Sequence, residues 1–181
     1  MTGKVVVNRS MSLDGFISSP PGQPHDWPRM SRYLDPAAVT AVAARTGAML
    51  VGRRTWEVGD SMDAEEPGAV DYPFTGAMFL LSHRPFDPPA PDVTILSGDI
   101  SAAVATALAA ADGRDLEILG ADVARQCFEA GLVDEVLVYV LPLIVGDGVP
   151  FSAAGMPRVE LEPISSEPAG PSTVLRYRVV R

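Results

Sequence analysis

Short apolar segments alternate with helix-forming segments along most of the chain. The apolar runs are 48–51, 78–81, 93–96, 116–119 and 135–143, and the helix-forming segments are 36–46, 53–58, 101–112 and 121–130. Runs of this length, bounded by glycine or proline, are typical of strands that are buried on both faces of a sheet. Residues 173–180 alternate in polarity, as a half-exposed strand does. The pattern predicts an α/β fold: a mainly parallel central sheet flanked by helices, with an antiparallel addition at the C-terminal end.

The chain is expected to form a single domain over residues 1–181. It has 181 residues, of which 47% are apolar, and it contains no internal repeat and no long linker. Residues 5–7, followed by the polar residues 8–10, predict a first strand that runs out of the core into a turn made of residues 12–15. The helix at 36–46 is expected to stop at Gly47, and the helix at 101–112 to begin at Asp99 or Ser101 and stop at Gly113.

Composition excludes several classes of partner and site. The formal net charge is -9, so the overall field repels nucleic acid and anionic membrane surfaces. Cys127 is the only cysteine and His25 and His83 are the only histidines, which argues against disulfides and against a metal site built from thiolates or imidazoles. No segment is long and apolar enough to predict a membrane span or a secretion signal. We therefore expect a cytoplasmic protein with no nucleic acid or membrane partner and no metal.

Two predicted strands end in residues that suit anion binding. Gly52, Arg53, Arg54 and Thr55 follow the run at 48–51 and begin the next helix. A helix start offers free N–H groups and a partial positive charge, and guanidinium groups there can hold a phosphate. The run at 78–81 is followed in the same way by a hydroxyl, an imidazole and a guanidinium, those of Ser82, His83 and Arg84. Each segment alone is also compatible with solvated arginines or with an ordinary polar turn.

A third junction of this kind follows the run at 116–119. It consists of Leu119, Gly120, Ala121, Asp122 and Val123, in which the glycine permits a close approach of a ligand to the backbone. Asp122 is alternatively a helix-capping carboxylate. Three junctions with glycine, hydroxyl or arginine at their ends together predict a nucleotide site. Neither the dinucleotide fingerprint G-x-G-x-x-G nor the P-loop motif is present.

Several segments, taken in order, resemble the dihydrofolate-reductase-like family. The segments are 12–17 (SLDGFI), 49–57 (MLVGRRTWE), 120–126 (GADVARQ), 131–135 (GLVDE) and 141–151 (LPLIVGDGVPF). They are most similar to the reductase domain of the bifunctional riboflavin-biosynthesis deaminase/reductase and to its stand-alone homologues. The resemblance covers nearly the whole chain and implies a dihydrofolate-reductase-like fold with an antiparallel C-terminal hairpin.

The resemblance also implies a cofactor and the residues that hold it. Arg53, Arg54 and Thr55 match positions that bind the 2′-phosphate and pyrophosphate of NADPH. The segment 82–84 matches the one that flanks the adenosine phosphate, and the segment 120–123 matches the turn under the pyrophosphate and nicotinamide. The family usually carries Gly-Gly where this chain has Leu119-Gly120. Riboflavin-type relatives also imply a homodimer.

The substrate side is expected to bind a small flat heterocycle of the pyrimidine, pterin or flavin type. Trp27 and Phe16 could stack on such a ring or belong to the core. Asp14 or Asp26 could supply a proton, although an Asp-Gly turn such as the one at Asp14 also has a purely structural explanation. We expect NADPH-dependent hydride transfer, with riboflavin biosynthesis as a candidate pathway. A catalytically inactive nucleotide-binding homologue is the alternative.

Overall fold

The structure is a computed structural model that describes residues 3–20, 30–60, 70, 72–84 and 92–181. The strands are β1 (Val5–Ser12), β2 (Phe16–Ser18), β3 (Thr46–Gly52), β4 (Ala77–Leu81), β5 (Val93–Leu96), β6 (Asp115–Leu119), β7 (Glu135–Leu141), β8 (Val149–Pro150), β9 (Leu161–Ala169) and β10 (Ser172–Val179). The helices are α1 (Pro36–Arg45), α2 (Arg53–Asp60), α3 (Ile100–Ala110) and α4 (Ala121–Glu129). Strands and helices alternate through most of the chain, as predicted.

An eight-stranded sheet forms the centre of the molecule, with the strand order β5-β4-β3-β6-β1-β7-β10-β9. The six strands from β5 to β7 are parallel, whereas β10 is antiparallel to both β7 and β9. A second, two-stranded sheet pairs β2 with β8. The predicted α/β class, the mainly parallel sheet and the antiparallel C-terminal pair are therefore confirmed.

The two faces of the sheet bury different sets of side chains, because successive residues of a strand point to opposite sides. On β1, Val5 and Val7 join the larger core under α3 and α4, and Val6 joins the smaller core that includes Val39 of α1. Side chains of β7 divide in the same way, with Val136 in the larger core and Leu137 in the smaller one. The site described below lies where these strands end and α2 and α4 begin.

The predicted turn at residues 12–15 is confirmed, since the amide of Gly15 donates to the carbonyl of Ser12 at 3.0 Å, but the expectation that the chain leaves the core at residues 8–10 is wrong. β1 continues to Ser12, because β7 offers it a partner at every position up to Leu141. Asn8, Arg9 and Ser10 are consequently buried polar residues inside a strand. Their polarity suggested that the strand runs out of the core here. Inside the protein, however, pairing with β7 and side-chain hydrogen bonds to β6 supply partners for these polar residues.

The expected helix stop at Gly47 is also wrong. Helix α1 ends at Arg45, and the amide of Thr46 donates to the last carbonyls of that helix as β3 begins. Gly47 lies inside β3, where a Cβ atom would stand 2.0 Å from the carbonyl oxygen of Ala111. The glycine is needed for this close packing and not for the end of a helix. By contrast, Asp99 caps α3 as predicted, since its carboxylate accepts from the amide of Ala102 at 3.1 Å.

Strand β9 was not predicted, because Pro163 and Pro168 interrupt its sequence. Proline cannot donate a ladder hydrogen bond and is tolerated at the edge of a sheet. β9 pairs on one side only, with β10, and most of its side chains are exposed. Within the described ranges, no helix is long and apolar enough to cross a membrane.

Candidate functional site

The three predicted junctions lie side by side at one edge of the sheet. Strands β4, β3 and β6 are adjacent and parallel, so their carboxyl ends face the same way. Ser82 follows β4, Gly52 ends β3 and Gly120 follows β6. Sheets of this class bind ligands outside the carboxyl ends of their strands. The fold therefore brings together residues that are up to 68 positions apart in the sequence.

The β3–α2 and β6–α4 junctions are in direct contact, and the contact depends on glycine. A Cβ atom on Gly120 would stand 2.9 Å from Oγ1 of Thr55 and 3.4 Å from the amide nitrogen of Gly52. A Cβ atom on Gly52 would stand 3.0 Å from Cγ2 of Val123. Gly120 also has a φ of 104°, which side-chain-bearing residues rarely adopt. The two turns thus leave their backbones close together and accessible to a ligand.

The start of helix α4 carries no side-chain cap. Gly120 occupies the N-cap position, and no side chain in the described part of the chain accepts from the first amides of the helix. Asp122 does not cap them; its carboxylate accepts from Arg125 at 2.9 Å and from Gln126 at 2.8 Å. The hydrogen bond from Arg125 lowers the pKa of Asp122. The free N–H groups and the partial positive charge of the helix start remain available to an anion.

The arginines that follow β3 have different surroundings. Arg53 forms an ion pair with Glu57, one turn later on α2. Arg54 is exposed, and its charge helps to lower the pKa of Asp122, so it lies near the start of α4. Among the described residues, Arg54 has no ion-pair partner. Its guanidinium therefore remains available for a ligand.

The segment after β4 forms a compact turn. The hydroxyl of Ser82 donates to the carbonyl of Arg84 at 2.9 Å and accepts from the amide of Arg84 at 3.3 Å. The amide of Ser82 donates to the carbonyl of Leu96 at the end of β5. Ser82 is buried, whereas His83 and Arg84 are exposed. The turn therefore presents an imidazole and a guanidinium beside β3, while the serine hydroxyl shapes it.

Asp14 joins two loops. Its carboxylate accepts from the amides of Val145 at 3.1 Å and Gly146 at 2.7 Å, and from the hydroxyl of Ser12 at 2.6 Å. The hydroxyl of Ser12 is the main cause that lowers the pKa of Asp14. These contacts favour a structural role, and the assignment of Asp14 as a proton donor stays a prediction.

The other predicted substrate residues are placed only in part. Phe16 lies in β2, opposite Pro150 of β8, with its ring beside Gly148. Asp26 and Trp27 lie outside the described residues. Trp56, one position after Thr55, has its indole Nε1 buried with no hydrogen-bond acceptor in the described part of the chain.

Two buried charged residues near the sheet centre were missed. Arg9 donates to the carbonyls of Ile118 at 2.9 Å and Gly120 at 2.8 Å. Glu117 of β6 is also buried and accepts from Thr46 at 2.7 Å and from a tyrosine hydroxyl, and burial raises its pKa. The available signal was a charged residue inside an apolar strand pattern, which by itself does not reveal the partner.

The described geometry can be compared with known proteins. The family model of the RibD C-terminal domain matches residues 3–175. No match to a curated protein reaches significance.

Solved structures are similar over nearly the whole chain. A Shewanella sp. PV-4 protein named for riboflavin biosynthesis is 24% identical, with a TM-score of 0.78, over 98% of this chain and 99% of its own. A Thermotoga maritima diaminohydroxyphosphoribosylaminopyrimidine deaminase/5-amino-6-(5-phosphoribosylamino)uracil reductase is 15% identical, with a TM-score of 0.64, over 99% of this chain and 57% of its own. Dihydrofolate reductase from Enterococcus faecalis, complexed with NADP(H), is 15% identical, with a TM-score of 0.59, over 100% of this chain and 99% of its own.

These structural similarities establish a dihydrofolate-reductase-like fold. The match to the family model extends over most of the sequence and includes all three junctions. The chain belongs to the RibD C-terminal domain family.

Proposed function

We propose that this protein is an NADPH-dependent reductase that transfers a hydride to a small flat heterocycle of the pyrimidine, pterin or flavin type. The observation that carries the proposal is the contact between the β3–α2 and β6–α4 junctions. Because Gly52 and Gly120 have no side chains, a ligand can approach the backbone of both junctions beside the uncapped start of α4. Family membership supports the same conclusion. The proposed pathway is riboflavin biosynthesis, with a reaction like that of 5-amino-6-(5-phosphoribosylamino)uracil reductase.

The residues present fit a dinucleotide with an additional phosphate. The first amides of α4 and the backbone at Gly120 would hold the pyrophosphate, because that helix start has no cap of its own. Arg54, together with Arg53 and Thr55, would hold the 2′-phosphate. The exposed side chains of the 82–84 turn would lie along the adenosine side.

Hydride transfer requires little acid-base catalysis from the protein. Bound NADPH supplies the hydride from its nicotinamide ring. The protein would orient the ring and the substrate and exclude water around them. The three donors to Asp14 favour its carboxylate form and lower its pKa, which makes it a poorer proton donor. We propose that the proton comes from solvent or from Asp26.

The experiment follows NADPH in two steps with the purified protein. A titration monitored by nicotinamide fluorescence should show binding, with NADH binding more weakly. Absorbance of the reduced nicotinamide should then fall only when an accepted pyrimidine, pterin or flavin is added. Binding without turnover for any heterocycle would favour the inactive nucleotide-binding homologue, and no binding of NADPH would contradict the proposal.

We also propose that the protein forms a homodimer. The apolar run at 136–145 suggests an interface from the sequence, but most of it lies in β7, buried between β1 and β10. The edge strand β9 remains, and it exposes Leu161 and Ile164 at 43% each. The unpaired backbone groups of such an edge strand can form hydrogen bonds with a second copy of this chain. Light scattering at micromolar concentration should give the mass of two chains, and the mass of one chain would contradict the dimer.

A further inference from the structure

Arg9 is a charged side chain inside the larger core of the protein. On β1 it shares a face with Val5 and Val7, which belong to the core under α3 and α4. The residue is only 7% exposed. Burying a guanidinium is costly unless hydrogen bonds compensate it, so the partners of Arg9 indicate what the residue contributes.

All the hydrogen-bond acceptors of Arg9 are backbone carbonyls. Nη1 donates to Asn8 and Ile118, both at 2.9 Å, and Nη2 donates to Gly120 at 2.8 Å. Burial lowers the pKa of Arg9 to about 10, so the side chain is protonated at neutral pH. No carboxylate of the described residues forms an ion pair with it. A positive charge without a direct counter-ion therefore lies beneath the end of β6.

The two distant carbonyls that Arg9 binds lie on either side of Leu119. The rigid guanidinium fork fixes both at once, which a single-point donor could not do. The carbonyl of Gly120 also accepts from the amide of Ala124, so the same oxygen ties Arg9 to the first turn of α4. Gly120 is the residue whose conformation keeps the β6–α4 junction packed against Thr55.

We propose that Arg9 is a positioning residue that sets the β6–α4 junction for the pyrophosphate of the nicotinamide cofactor. It holds the backbone around Leu119 and adds positive charge beneath the start of α4. This inference rests on the proposed function. The pyrophosphate is common to NADPH and NADH, so Arg9 acts on both cofactors alike, whereas the arginines of α2 act on the 2′-phosphate of NADPH alone.

The test compares Arg9→Met, which removes the charge at similar length, with Arg9→Lys, which keeps the charge but not the fork. Arg176→Met is the control, because Arg176 is also part-buried but pairs with Glu135 at the opposite end of the strands. Dissociation constants for NADPH and NADH are measured by nicotinamide fluorescence. Hydrogen exchange of the amide of Ala124, which donates to the carbonyl of Gly120, is measured without cofactor.

Arg9→Met should weaken both cofactors by the same factor, about 10- to 100-fold, as expected for losing charged hydrogen bonds that position a site. Exchange of the Ala124 amide should rise in the same variant. Arg9→Lys should lie between wild type and Arg9→Met in both measurements, and Arg176→Met should match wild type. If Arg9→Met does not fold, the affinities and exchange of Arg9→Lys decide the question.

Wild-type affinities and wild-type exchange in a folded Arg9 variant would overturn the inference and leave the proposed function intact. A loss confined to NADPH would overturn it as well, because it would place Arg9 at the 2′-phosphate. If the wild type binds no nicotinamide cofactor, the proposed function fails. The exchange measurement then still shows whether Arg9 holds the junction, and unchanged exchange would refute that part too.

Discussion

Replacing Gly120 by alanine tests the contact between the two junctions most directly. The added Cβ atom would stand 2.9 Å from Oγ1 of Thr55 and 3.4 Å from the amide nitrogen of Gly52. The first neighbour is an exposed side chain that can rotate, but the second is backbone and must shift. Gly120 also has a φ of 104°, so alanine there is strained even without a neighbour.

The size of the effect follows from these two contributions. A residue with a Cβ atom in this sparsely populated backbone conformation costs about 1–3 kcal/mol. Crowding in a packed region adds about 1–3 kcal/mol. A matched control is Gly131→Ala just after α4, where φ is 65° and nothing lies within 4 Å of the new Cβ atom. The control should show the backbone cost alone.

Stability is measured by urea unfolding, and cofactor binding by fluorescence titration with NADPH. We expect Gly120→Ala to weaken NADPH at least tenfold, which corresponds to about 1.4 kcal/mol. Gly131→Ala should bind NADPH with a dissociation constant within about twofold of the wild-type value, which corresponds to a difference in binding free energy of roughly 0.4 kcal/mol. Unchanged affinity in a folded Gly120→Ala protein would refute the placement of the cofactor at this junction.

Three further changes probe separate parts of the molecule. Replacing both Arg53 and Arg54 by alanine should weaken NADPH far more than NADH in a binding titration, and equal losses would contradict their assignment to the 2′-phosphate. Leu119→Gly should leave the dissociation constant of NADPH within a few-fold but alter turnover or the range of accepted heterocycles in steady-state assays. If the wild type binds no NADPH and the Leu119→Gly variant does, the result would support the inactive homologue. Glu135→Gln should reduce the free energy of unfolding at pH 7 by about 1–3 kcal/mol, because a neutral amide replaces the buried carboxylate that pairs with Lys4 and Arg176. Burial alone would raise the pKa of Glu135, but the hydrogen bonds from Lys4 and Arg176 outweigh it and lower the pKa. The stabilisation is therefore present above the ordinary pKa of a glutamate and is lost as the pH falls through the lower pKa of the folded state, so the difference in stability between wild type and variant should close in acid. A gap that stays constant down to pH 3 would contradict this account of Glu135.

Local sequence was enough to predict most of the sheet and the positions of the three junctions along the chain. Apolar runs such as 78–81 and 93–96 lie in strands because a continuous apolar stretch of that length must be covered on both faces. Glycine and arginine after such runs mark the junctions for the same local reason, since a turn there needs conformational freedom and leaves a helix start open. Asp99 was predicted as a cap because capping involves only the next few residues.

Only the tertiary structure decided the roles of the buried polar residues. Asp14 accepts from amides 131 and 132 positions away, and Arg9 donates to carbonyls 109 and 111 positions away. Asp14 had a local explanation in an Asp-Gly turn, and Arg9 had one in a strand that runs out of the core. The local sequence around a residue does not show which distant backbone groups the sheet will bring to its side chain. The sequence by itself therefore determined the order of the elements and the edge where they end, whereas the packing of β6 against β1 determined which charges hold that edge together.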